Sequence, residues 1–127
     1  MDARESIFFA GDTERLRIYG ALTDKLRAQW PEMTVEVKKT QISFKNGHIF
    51  ACASIPRMAA GKGAVQLTFG LPYRADSPRL FGVSEPYPMR WTHHTLLRSP
   101  DDMDAQLMDW LAQAYCFAAA KRKGKSI

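Results

Sequence analysis

The 127 residues are enough for one domain, and 46% hydrophobic with 24% charged side chains is an ordinary globular composition. The net charge of +5 leaves anionic partners open, while two cysteines, Cys52 and Cys116, exclude a disulfide framework or a cysteine metal cluster. No apolar run approaches the roughly 20 residues needed to cross a bilayer, and Met1-Asp-Ala-Arg-Glu-Ser lacks the basic-then-apolar pattern of a signal peptide, so a cytoplasmic protein without membrane contact is expected.

Residues 5–9, Glu-Ser-Ile-Phe-Phe, predict one helical turn. Gly11-Asp12-Thr13 offers an N-cap to a helix over about 13–29, whose stripe is Leu16, Tyr19, Leu22, Leu26 and Trp30. Pro31 stops it, because the residue before a proline is pushed out of the α region. The period then changes to two. Thr34-Val-Glu-Val-Lys and Ile42-Ser-Phe-Lys each alternate apolar and polar residues, predicting strands with one buried face. Asn46-Gly47 predicts a tight hairpin into a third strand over 49–55, which Pro56 ends. A loop over 57–63 leads to a fourth strand over 64–70, with Val65, Leu67 and Phe69 on one face. Pro72, Pro78, Pro86 and Pro88 predict a long irregular stretch over 70–90, a length that is often functional. Residues 90–98 form a fifth strand. Ser99-Pro100-Asp101-Asp102 combines cap, proline and acids as a helix start. Met103, Leu107, Trp110, Leu111, Ala114, Tyr115 and Ala118 supply that helix's apolar face.

The expected architecture is therefore α+β: an antiparallel sheet of four to five strands, with an N-terminal and a C-terminal helix packed on one face. Residues 1–120 form the domain, and Lys121-Arg-Lys-Gly-Lys begins a basic, disordered tail over 121–127. The open face of the sheet would carry Glu36, Lys38, Ser43 and Lys45.

Charge is unevenly spread. Residues 38–98 hold nine basic and two acidic side chains, a net of +7, whereas residues 1–37 are −2 and residues 99–120 are −4. All three histidines also lie in the middle segment. Such asymmetry can place one sign of charge on one surface.

Three segments, Val35-Glu-Val-Lys-Lys-Thr-Gln-Ile-Ser-Phe, Leu71-Pro-Tyr-Arg-Ala-Asp-Ser-Pro-Arg and Glu85-Pro-Tyr-Pro-Met-Arg-Trp-Thr-His-His, resemble the bacterial domain-of-unknown-function family 5655 in long, ordered stretches. The resemblance runs from about residue 6 to residue 117. It implies the fold of that family and no established reaction. Some members carry a loose label as transport proteins, which nothing in this chain supports through a membrane segment.

The middle segment also holds the candidate ligand contacts. His93 and His94 are neighbours on a strand, so their side chains point to opposite faces and do not bind one metal; one faces the core and the other solvent or a ligand. Lys38-Lys39 between two strands is either an anion-contacting turn or a charged connection that protects a strand from pairing with other chains. Arg79 and Arg90 suit bidentate recognition of carboxylate or phosphate, or else pin the loop through Asp76–Arg79 or Glu85–Arg90 pairs. Gly61-Lys-Gly lacks the spacing and following hydroxyl of a P-loop. No serine sits in a strained nucleophile turn, and the surroundings of Cys52 and Cys116 suit buried, inert thiols. No catalytic residue, cofactor or metal site is expected. The preferred reading is a binding module for an anionic ligand, contacted by Lys38, Lys39, Arg79, Arg90, His93 and His94. A nucleic-acid-binding domain, with Tyr73, Tyr87 and Trp91 as stacking aromatics, and a homodimeric interaction domain are the alternatives.

Overall fold

The computed structural model describes the backbone of residues 1–125 and the side chains of residues 1–120, so residues 126–127 of the basic tail expected over 121–127, and the side chains of its other residues, lie outside what it describes. Helix α1 is Ala3–Phe8 and helix α2 is Thr13–Gln29. Strands β1 (Thr34–Val37), β2 (Ile42–Asn46), β3 (His48–Ser54), β4 (Val65–Leu71), β5 (Leu80–Tyr87) and β6 (Arg90–Leu97) follow, and α3 (Ala105–Lys125) closes the chain. The strands make one antiparallel sheet in the order β1-β2-β3-β4-β6-β5.

The helices form where capping and periodicity agree. Asp2 and Glu5 close a reciprocal capping box on α1, and the Asp12 side chain accepts from the Arg15 N–H at the start of α2. Trp30 ends α2 directly before Pro31. Ile18, Tyr19, Leu22 and Leu26 of α2, with Leu107, Leu111 and Ala114 of α3, are buried against Phe44, Leu67 and Phe69 of the sheet. Val65, Leu67, Phe69 and Leu71 alternate with the half-buried Gln66, Thr68 and Gly70 along β4, so the helices cover one face and leave the other open.

Six strands replace the four to five expected. The additional one, β5, runs over Leu80–Tyr87 in the second half of the stretch read as irregular. It lies at the sheet edge, pairs only with β6, and breaks register between Leu80 and Gly82 and between Ser84 and Tyr87. An edge strand has a free side on which prolines forfeit no ladder bond, so Pro86 is tolerated inside it. No residue of β5 is fully buried, which removes the alternation that a sequence reading needs. The fifth expected strand, β6, is internal, between β4 and β5.

Two further expectations change. Ser99 caps a single 3-10 turn over Pro100–Asp102, and α3 starts three residues later, with the Asp104 carboxyl accepting from the Leu107 N–H at 3.1 Å. Cys116 is exposed rather than buried, because Ala114 and Ala118 fill the inward positions on either side of it.

One polar cluster lies inside the core. Glu5 is 1% exposed. Its carboxyl accepts from the Tyr19 hydroxyl, from the Arg27 guanidinium at 3.3 Å and from the Asp2 N–H at 3.0 Å, which ties α1 to α2. Burial, and then the bond to Glu5, pushes the Tyr19 phenol well above its usual range.

Candidate functional site

One row of residues crosses the whole sheet on the open face: Glu36, Ser43, Cys52, Thr68, His94 and Gly82, each paired with the next. Its register follows from the alternation that sends Phe44, Ala51, Phe69 and His93 to the helix side. His94 is the centre of this row. Its Nδ1 lies 2.8 Å from the Thr68 hydroxyl and 3.4 Å from the Gln66 amide nitrogen. An amide nitrogen only donates, so Nδ1 accepts and Nε2 carries the ring proton. Among the described residues Nε2 makes no hydrogen bond, and it is not a buried atom. Glycine at position 82 makes room for the ring, since a Cβ there would stand 3.2 Å from His94 Cδ2. The exposed Phe81 ring stands 5.9 Å from the imidazole.

A shallow recess of about 430 Å³ opens over this row. Among the described residues Gln41, Arg57, Gln66, Thr68 and His94 line it, and no carboxylate does. The Gln41 amide donates to Ser43 Oγ at 3.0 Å. Arg57 is exposed and makes no ion pair among the described residues. Burial pushes the Cys52 thiol up to about 11, with the Lys38 ammonium pulling slightly the other way, so the thiol is protonated and inert at neutral pH. Among the described residues no three His, Cys, Asp or Glu side chains are grouped to hold a metal ion, and no helix is long and apolar enough to cross a membrane.

The six residues expected to share a ligand do not share one place. Lys38 and His94 belong to the open face, with the Lys38 ammonium 3.5 Å from Glu36, which also holds Lys45 at 3.5 Å. Lys39 is exposed in the β1–β2 turn, beside the bond from the Lys38 N–H to the Gln41 carbonyl. The Arg79 guanidinium is already engaged: it donates to Asp104 at 2.7 Å, to the Asp102 carbonyl at 2.8 Å and to Gln106 at 3.2 Å, pinning the start of β5 to the start of α3. That contact holds the Asp104 carboxyl below the usual carboxylate range. Arg90 lies at the tip of the β5–β6 hairpin, 5.6 Å over the Tyr87 ring. Of the expected stacking aromatics, Tyr73 donates to Gln113 of α3, whereas Tyr87 and Trp91 stand with Arg90 around one cleft away from His94.

His93 is fully buried on the helix side. Its ring stacks on Phe69 at 5.3 Å, and Nε2 accepts from the Ala75 N–H at 2.9 Å. The ring proton therefore sits on Nδ1, which has no hydrogen-bond partner among the described residues. Burial lowers the pKa of His93 and also of His94. A folded-state value below the unfolded 6.5 means the folded protein binds fewer protons. Its contribution to stability is complete above about pH 6.5, declines as pH falls from there towards the folded value, and is gone below it. Urea midpoints across this window should fall on acidification, and His93→Gln should flatten the slope. An unchanged slope in that variant would assign the dependence to other groups.

Sequence reading missed Arg57, Gln66, Thr68, Phe81 and Gly82. Alternation along β4 already separates Gln66 and Thr68 from the core, but only strand pairing brings them to His94. The family model described as Domain of unknown function (DUF5655) matches residues 5–118. No curated protein and no solved structure matches the chain.

Proposed function

The chain belongs to the DUF5655 family of domains of unknown function, and on that premise we propose that it is a small binding module whose open sheet face holds an anionic ligand through His94 and Arg57. The observation that carries this reading is the recess over His94, in which donors converge and no carboxylate stands. Thr68 and Gln66 fix the imidazole so that Nε2–H points away from its protein partners, and a fixed neutral donor loses little freedom on binding. Arg57 adds a planar, permanently charged donor at the rim. Lys38 adds a weaker field, partly offset by Glu36.

A recess this open supports affinities of about millimolar to high micromolar, or roughly −4 to −6 kcal/mol. Two-dimensional NMR titration with inorganic phosphate and with citrate, at low salt, is the direct test. Amide shifts are expected at Gln66, Thr68 and His94, and the double variant Arg57→Ala/His94→Ala should weaken them by about tenfold or more. Equal titration of wild type and double variant would remove the proposal. Nucleic acid is the second reading, supported by the exposed Phe81 ring beside His94. It requires affinity for a short oligonucleotide that falls steeply with salt and exceeds that for phosphate.

A further inference from the structure

Strands β3 and β4 pair only as far as Ala51 and Phe69. Beyond that pair they separate, and a cleft of about 260 Å³ lies at this end of the sheet. Phe50, Phe69 and Trp91 line it from the strands, and Ala114, Phe117 and Ala118 line it from α3. It shares only Cys52 and Thr68 with the recess over His94.

The chemistry of this cleft differs from that of the open face. Among the described residues its walls are predominantly apolar and include one charged side chain, Arg90. The Arg90 guanidinium makes no ion pair among the described residues. It is held over the Tyr87 ring, a contact that orients the planar group and leaves its N–H edge free to donate. The hairpin turn that presents it is shaped for this position. Met89 adopts a left-handed conformation with φ of 64°, unfavourable for a residue with a side chain, and the Glu85 carboxyl accepts from its N–H at 3.1 Å. Tyr87 and Met89 stand 63% and 69% exposed beside Arg90, and Ile49 in the cleft wall is 39% exposed, so apolar surface continues to the mouth.

We propose that this cleft binds a small amphipathic monocarboxylate, with the hydrocarbon body between the strand ends and α3 and the carboxylate on Arg90. A mainly apolar cavity that presents an arginine without an ion-pair partner among the described residues is complementary to that chemistry. A neutral hydrocarbon leaves Arg90 unused, whereas a polyanion such as a nucleotide phosphate finds one cation and an apolar wall. The volume is near the lower end of ligand pockets, about 300 Å³, which suits a medium-chain acid and excludes a dinucleotide.

The test uses octanoate and octanamide as probes on the full chain, read by NMR at the Trp91 indole and the Ala114 and Ala118 methyls. Octanoate is expected to shift all three at millimolar concentration or below, with octanamide about tenfold weaker. Arg90→Gln should abolish that preference, and Arg90→Lys should restore part of it. Arg90 makes no hydrogen bond or ion pair through its side chain among the described residues, so both variants should keep the wild-type spectrum elsewhere, which separates loss of binding from loss of fold. Equal binding of acid and amide to wild type would overturn the proposal, as would the absence of shifts at these three groups. Shifts at Gln66 and His94 alone would overturn it in favour of the open face. Failure of the phosphate and citrate titrations at that face leaves the octanoate result unaffected, so the two readings stand or fall separately.

Discussion

Phe69→Ala is expected to lower folding stability by about 3–5 kcal/mol, the range for truncating a large buried aromatic. Phe69 is 1% exposed at the middle of the core. Its ring stacks on His93 at 5.3 Å and on Trp110 of α3 at 5.7 Å, so it connects the sheet to the helix and covers the buried histidine. Two features prevent the neighbours from closing the space. Its strand is hydrogen-bonded on both sides, to β3 and to β6, and the residue beside it on β3 is the small Ala51. The cavity would also lie against His93, whose Nδ1 already lacks a partner. Urea denaturation gives the loss directly, with Phe81→Ala as the comparison. Phe81 is exposed and should cost no more than about 0.5 kcal/mol. A loss below about 1 kcal/mol at Phe69 would mean that β4 is not the packed centre of the sheet.

The second large effect belongs to a charged residue. Glu5→Ala should cost about 2–4 kcal/mol. Removing the carboxyl leaves the buried Tyr19 hydroxyl without its acceptor, at about 1–3 kcal/mol. It also removes half of the capping box on α1, worth about 0.5–1 kcal/mol. The pair with Arg27 adds little, because that side chain is 39% exposed and water screens it. Glu5→Gln retains an acceptor oxygen and should cost less than Glu5→Ala. Tyr19→Phe combined with Glu5→Ala should cost less than the sum of the two single changes, since the second has no bond left to break. Glu14→Ala is the reference, being exposed and paired only with Arg17 on its own helix. If Glu5→Ala were as mild as Glu14→Ala, α1 would not be docked through this cluster.

Glu5 shows how local reading and tertiary structure diverge. Its place in a short helical turn was legible, and so was the stripe of Leu16, Tyr19, Leu22 and Leu26. Nothing in the local pattern distinguishes it from Glu14, because the partners that bury it are 14 and 22 residues away. Arg79 and Arg90 make the same point. Both stand in one proline-rich stretch and look alike as anion clamps. Arg79 is consumed by the first turns of α3, and Arg90 is left unpaired at a cleft.

Short-range periodicity accounts for the features that were legible in the residue order. Period two placed Val35, Phe44, Leu67 and Phe69 on the helix side, and Glu36, Lys38, Ser43 and Lys45 on the open face. The adjacency of His93 and His94 required one to face inward and one outward, and His93 is the inward one. Turn chemistry at Asn46-Gly47 and helix chemistry before Pro31 held for the same reason: they depend on residues within four positions. Only the tertiary structure decided which strand neighbours which. Inserting β6 between β4 and β5 sets His94 between Thr68 and Gly82, which orients its ring and assembles the recess. Pairing across 26 residues is paid for by loop closure and recovered by burial on the far side of the sheet, and neither is encoded in the residues immediately flanking the histidine.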